Sequence, residues 1–337
     1  MTRALVGTYA AGGGAGLVAL ARGDEGRWRV GAAAPVANAS FVLASARFGH
    51  HYALDEVAGT IGVYSAAGGW ALLAEESSGG EAPCHLALSA NERLLAVANY
   101  GSGSVALLTL DEGGLPTGHD VSAYAGSGPN RERQASSHAH WVGFSAAGEL
   151  IAVDLGADRI VTHAVEADGM LSPPRTLYAA SPGSGPRHLA FHPTLPLGYL
   201  ISELVPELTV LAPGHDGLAA ALRLALLDPA EASGDALGGE VMLSADARQL
   251  YVTTRGADRL LSFALDDRGT PTLLARVPSG GASPRHLLPL GDQLLVAHEQ
   301  DGTVAIFDLE ADGRAAGTPQ RLSVPGAAFL AADRERR

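Results

Sequence analysis

Apolar residues in this chain come in runs of four to six, broken at Gly, Asp, Asn or Pro and then resumed. That pattern predicts β-hairpins rather than helices of 3.6-residue period. Seven segments carry it: LVGTYAAGGGAGLVAL, YALDEVAGTIGVYS, LAVANYGSGSVALLTL, IAVDLGADRIVTHAV, YLISELVPELTVL, YVTTRGADRLLSFAL and LLVAHEQDGTVAIFDL. Ahead of most lies another short apolar segment and a turn, such as HLALSANERL or HLAFHPTLPL; after most comes a Gly/Pro/Asp/Ser-rich linker and a weaker strand. Three clear strands and one weaker strand in each repeat of about 45 to 55 residues is the pattern of a β-propeller blade.

The chain is therefore expected to be all-β, a seven-bladed β-propeller with four antiparallel strands per blade, forming a single domain over residues 1–337. The first copy starts at residue 5 with no first strand before it, while the apolar SVPGAAFLAAD follows the seventh copy. The N- and C-terminal strands are expected to complete one blade between them and close the ring, which removes an exposed sheet edge. The competing arrangement is a β-sandwich or two smaller β domains, but no linker-like shift of composition divides the chain.

In such a blade the first strand begins, and the antiparallel second strand ends, on one face, so polar residues there gather at the channel mouth. First strands start with His85, with His138 and His140, with Arg187 and His188, with Glu240, and with Arg285 and His286. Second strands end with Asp55 and Glu56, Asn99, Asp154, Glu203, Arg255, and His298 with Glu299. The two Pro-Arg-His runs, at 186–188 and 284–286, thus occupy equivalent positions. A strand-end Asp or Asn commonly bonds the turn that follows, the simpler reading of Asn99 and Asp154. Both also join His85, His188, Arg285 and His286 as candidate substrate-binding residues. His192, ahead of Pro193, reads as a turn residue. Arg187, Arg255, Arg285 and Glu203 each call for a partner or a ligand, because a charge beside a buried channel is costly alone.

Composition narrows the chemistry. A hydrophobic fraction of 47% with only 18% charged residues allows a large core. The formal net charge of -13 argues against nucleic acid or an anionic membrane as partner, since both require clustered Lys and Arg. The single cysteine, Cys84, cannot form an internal disulfide, which suits a reducing compartment. Glycines interrupt any signal-like apolar stretch near the N-terminus, and no run of about 18 apolar residues occurs, so a cytoplasmic location is expected. There is no Gly-x-Ser-x-Gly elbow, cysteine nucleophile site, Rossmann fingerprint or P-loop. The HAH pair at 138–140 has a metal-ligand spacing, yet no carboxylate is placed by sequence to complete a set, so neither a metal nor an organic cofactor is expected. What remains is acid–base chemistry by His and Glu, with arginines binding an anion or steadying an oxyanion. Nothing in the sequence specifies an oligomeric state.

The motifs PCHLALSANERLLAVANYGSGSV, HAHWVGFSAAGELIAVDLGADRI, GSGPRHLAFHP, LYVTTRGADRL and SPRHLLPL recur in that order over nearly the whole chain. Together they resemble the seven-bladed propeller lactonase family, which includes bacterial propeller-type 6-phosphogluconolactonases and fungal carboxy-muconate lactonizing enzymes. The resemblance implies a site made of a histidine of HAH, the arginine of GPRH, the glutamate ending the next strand and the arginine of TTRG. Here these are His138 or His140, Arg187, Glu203 and Arg255. Family members commonly carry Asn before that last arginine, where this chain has Thr254. The implied activity is hydrolysis of a small anionic sugar lactone, 6-phosphogluconolactone, with arginines holding the phosphate or the carbonyl oxygen. Glu203 or a histidine of the pair would deprotonate water, and the other would protonate the leaving ring oxygen. Two alternatives stay open: a muconate-type cycloisomerase using the same residues, and a non-catalytic propeller binding a protein partner. For the latter, an aromatic content of 5% offers little interface material.

Overall fold

The computed structural model describes residues 2–167, 169–231 and 235–333. Among these residues the chain forms seven four-stranded antiparallel sheets, as seven blades require, and helix is confined to two one-turn 3-10 segments, Ala10–Gly12 and Ala66–Gly68. The strands gather into two compact units. The first comprises Met1–Ala37, His188–Gly214 and Leu218–Arg337; the second comprises Asn38–Arg187 and His215–Gly217.

The first unit holds four of the sheets. Sheet 1 joins Ala327–Ala332, Arg3–Thr8, Leu17–Arg22 and Trp28–Ala34. Its first place is thus taken by the last strand of the chain, paired antiparallel with Arg3–Thr8, and the two chain ends complete one blade as expected. Sheet 5 runs from Pro186–Phe191, which enters this unit at His188, through Gly198–Ser202 and Glu207–Pro213 to Leu218–Ala225. Sheet 6 joins Leu237–Leu243, Gln249–Arg255, Arg259–Leu265 and Pro271–Pro278; sheet 7 joins Pro284–Leu290, Gln293–His298, Thr303–Leu309 and Ala315–Ser323. The second unit holds sheet 2 (Ala39–Ala44, His50–Asp55, Thr60–Ser65, Ala71–Ser77) and sheet 3 (Pro83–Leu88, Leu94–Asn99, Ser104–Leu110, Pro116–Ala123). It also holds sheet 4 (Ala139–Phe144, Leu150–Asp154, Arg159–His163, Arg175–Ala179).

Burial follows the sequence pattern strand by strand. Second strands such as Leu150–Asp154 and Gly198–Ser202 are buried at every residue, which is why they read as unbroken apolar runs. The fourth strand Leu218–Ala225 is instead exposed at alternate residues and reads weakly. Facing second and third strands of successive sheets form the cores: Tyr199, Ile201 and Val210 pack with Val252 and Phe263 in the first unit, and Tyr52, Leu54 and Val63 pack with Leu95 and Val97 in the second. Tyrosines opening three second strands add a repeated tie. Tyr199 donates to the Gly269 carbonyl at 2.7 Å, Tyr251 to Gly313 at 2.8 Å and Tyr52 to Gly114 at 2.7 Å, each time reaching a turn of the following sheet. Burial pushes the Tyr199 and Tyr251 hydroxyls up to about 12, so they serve as donors at any physiological pH.

One irregularity decides where the polar side chains go. First strands slip register against their second strands near the start: between Pro83 and His85, Ala139 and Trp141, Gly238 and Val241, and Pro284 and His286. Such a β-bulge leaves extra residues unpaired and re-aims their side chains. The bulged residues are Cys84, His140, Gly239 with Glu240, and Arg285.

Candidate active site

In the first unit, Glu203 follows the buried strand Gly198–Ser202 and Arg255 ends Gln249–Arg255. The Glu203 Oε2 lies 2.7 Å from Arg255 Nη2, with both side chains almost wholly buried. The guanidinium also donates from Nη2 and Nε to the Gly238 carbonyl at 3.0 and 3.3 Å, and the Gly238 N–H donates to the Glu203 carbonyl at 2.8 Å. Gly238 is required here, because a Cβ would lie 2.1 Å from the Ser202 carbonyl oxygen. A planar guanidinium suits this fixed fork of acceptors.

Three further candidates meet because they stand near the starts of consecutive first strands, His188 and His286 as third residues and Glu240 as the fourth. Glu240 lies between two imidazoles, its Oε1 2.8 Å from His188 Nδ1 and its Oε2 3.5 Å from His286 Nε2, and all three residues are at most 5% exposed. Glu240 is held by its own N–H, which donates to Thr253 Oγ1 at 2.9 Å, while His286 packs on Phe329. Sequence reasoning put Glu240 in the ring of strand starts but gave it no role; its alignment with the two histidines was the available signal. Glu240→Ala removes the His188 partner, and should lower the unfolding free energy by about 1–3 kcal/mol in denaturant titration. Arg285 lies nearby in sequence but is differently engaged, 3.3 Å from Glu299 Oε2 and with its guanidinium 5.5 Å from the centre of the Tyr9 ring.

In the second unit the HAH pair lies against Tyr100. His138 stacks on its ring with centroids 4.4 Å apart, and His140 meets it edge-on at 5.5 Å. Tyr100 was not among the sequence candidates. His138 Nδ1 is 2.8 Å from the Tyr100 carbonyl oxygen, so a neutral ring carries its proton on Nδ1 and offers Nε2 as the base. His140 Nδ1 instead faces the Cys84 sulfur at 4.0 Å. Arg187 is 2% exposed and follows the bonded loop Gly183–Pro186. His85 is packed between Phe41 and Trp141 and accepts the Val142 N–H at 3.4 Å.

Two further candidate binding residues are tied to their own surroundings. Asp154 is wholly buried; Oδ1 accepts the N–H groups of His138 and Ala157 at 2.9 and 3.2 Å, and Oδ2 meets Arg159 Nε at 3.1 Å. It holds the His138 backbone. Asn99, also wholly buried, donates to the Ser78 carbonyl at 3.0 Å. His298 ends the equivalent strand of sheet 7 and makes the same bond, from Nε2 to the Ser279 carbonyl at 3.0 Å. Both therefore clamp the linker that leads into the first strand of their own sheet. Among the described residues no group of three or more His, Cys, Asp or Glu could hold a metal ion.

Burial lowers the His298 pKa below its ordinary 6.5, and does the same to His163. The folded state resists protonation while the unfolded chain accepts it, so stability is full above the unfolded pKa and declines as pH falls below it. The thermal midpoint should fall between about pH 7.5 and 5.5, and His298→Gln should flatten that slope.

Residues 3–331 match the family model described as Lactonase, 7-bladed beta-propeller. The chain belongs to the seven-bladed β-propeller lactonases. By class it is a carboxylic-ester hydrolase. Among relatives of this lactonase, the 6-phosphogluconolactonase of Bacillus subtilis is 29% identical over 95% of both chains. A Bacteroides fragilis crystal structure provisionally named 6-phosphogluconolactonase superposes with a TM-score of 0.88 at 28% identity, covering 99% of this chain and 98% of that one. The periplasmic gluconolactonase PpgL of Pseudomonas aeruginosa gives a TM-score of 0.85 at 27% identity, with 98% of each chain covered. Among the described residues of this lactonase, no helix is long and apolar enough to cross a membrane.

Proposed function

We propose that this lactonase hydrolyses 6-phosphogluconolactone to 6-phosphogluconate in the cytoplasm. The observation carrying the reading is the buried Glu203–Arg255 pair at 2.7 Å in a member of a lactonase family. Glu203 takes a proton from water as the water oxygen attacks the lactone carbonyl. Arg255 steadies the oxyanion of the tetrahedral intermediate; when that collapses, the ring C–O bond breaks and the leaving oxygen takes up a proton. Arg187 is assigned to the phosphate or the carbonyl oxygen, a role suited to its fork of donors. Of the histidine pair, His138 is preferred as the second acid–base group, because its bond to Tyr100 leaves Nε2 as the basic nitrogen. The name of the Bacillus subtilis relative supports the phosphorylated substrate, and that of the Pseudomonas aeruginosa relative supports lactone opening in a sugar acid.

The test is phosphogluconate release from fresh 6-phosphogluconolactone, corrected for spontaneous opening, with gluconolactone and a muconate run in parallel. Faster opening of the phosphorylated lactone supports the reading. Equal rates on both lactones would move the substrate to unphosphorylated sugars, and background rates on all three would remove it.

A further inference from the structure

The tetrapeptide Gly-Ala-Asp-Arg occurs at 156–159 and again at 256–259, each time ahead of a Pro-Arg-His run. In the second unit Asp158 closes the turn between Leu150–Asp154 and Arg159–His163 with a φ of 51°. Its carbonyl accepts the Ala180 N–H at 2.8 Å. Its carboxylate accepts the Gly183 N–H at 2.6 Å through Oδ2 and the Gly185 N–H at 2.8 Å through Oδ1, with Gln134 Nε2 at 2.9 Å and Ser184 Oγ at 3.5 Å. One buried side chain thus ties down the loop that ends in Pro186-Arg187.

The first unit repeats the device. Asp258 closes the turn between Gln249–Arg255 and Arg259–Leu265, also with a φ of 51°. Its carbonyl accepts the Ser279 N–H at 2.9 Å, and Oδ1 accepts the Ser283 N–H at 2.8 Å, immediately before Pro284-Arg285. The held residues, Gly185 and Ser283, share a left-handed φ of 60° and 59°. For Ser283 that conformation is disfavoured by its Cβ, and the charge-assisted bond to its N–H offsets the cost.

We propose that Asp158 and Asp258 are positioning residues, each fixing the loop that aims the next arginine, Arg187 and Arg285 respectively. Neither carboxylate is assigned to substrate. The kinetic part of the proposal rests on the lactonase reading given to Arg187; the structural part does not. Asp158→Asn keeps the side-chain shape but replaces one accepting oxygen by a donor, so it cannot hold both Gly183 and Gly185.

Hydrogen exchange by mass spectrometry on the full chain should show faster exchange over residues 183–187 in Asp158→Asn, with 283–287 unchanged, and the reverse in Asp258→Ala, because an Asn there would keep an oxygen for the single bond to Ser283. The kcat for lactone opening should fall on the order of 10- to 100-fold in Asp158→Asn, the scale of a misplaced catalytic group. In an Arg187→Ala background the same change should have almost no effect, because the residue it aims is gone. Equal fold-losses in both backgrounds, or unchanged exchange over 183–187, would overturn the proposal. Should the native protein open no lactone, the functional reading fails while the exchange result still decides whether the clamps exist.

Discussion

Glu203→Gln is expected to lower kcat for lactone opening by about two to four orders of magnitude, the range general-base catalysis contributes. The amide keeps the volume of the carboxylate and an oxygen that can still accept from Arg255, but it cannot take a proton from water. Substrate affinity should change little, so the loss falls on kcat rather than KM. Truncation is the poorer experiment. Arg255→Ala would leave the Glu203 carboxylate buried without its guanidinium partner, and breaking such a pair costs about 3–5 kcal/mol of stability, enough to confuse a kinetic effect with unfolding. The check is steady-state kinetics at 25 °C with spontaneous hydrolysis subtracted, beside a thermal melt. A kcat within threefold of the native enzyme, in a protein that melts normally, would take the base role from Glu203.

The strands were legible because their burial is written in the pattern. Runs such as LIAVD and GYLIS are covered on both sides, and the consecutive apolar residues LIAV and YLI announce it. The repeat then placed Glu203, Arg255, Glu240 and both Pro-Arg-His runs at strand ends, where they are found. What the repeat could not convey is register. A bulge is one extra residue with no composition of its own, so nothing in the sequence marks the register shift between Pro284 and His286. Asn99 and His298 illustrate the same limit. Different side chains at one position make one bond, to Ser78 and Ser279, and only the linker's path reveals that the position clamps a loop. The Asp158 and Asp258 clamps lay in plain view as a doubled GADR, but a side chain bonded to backbone N–H groups some 25 residues away leaves no local signature.

Arg187→Ala is expected to lower kcat/KM for 6-phosphogluconolactone by about 100- to 1,000-fold, the cost of removing one preorganised donor from a developing or standing anion. Its size should depend on which oxygen the guanidinium meets, and the comparison substrate distinguishes the two. If Arg187 holds the phosphate, the loss is confined to the phosphorylated lactone and falls mainly on KM, because a phosphate carries the same charge in the ground and transition states. If it steadies the carbonyl oxygen, where charge grows only as water attacks, gluconolactone opening falls by the same factor and the loss is in kcat. Arg187→Lys separates charge from geometry: a point charge partly serves a phosphate but cannot reproduce a two-donor fork. A thermal melt run beside the kinetics separates any loss of folding from a loss of chemistry. Unchanged rates on both lactones would detach Arg187 from the reaction and leave it as the buried end of the Asp158 clamp.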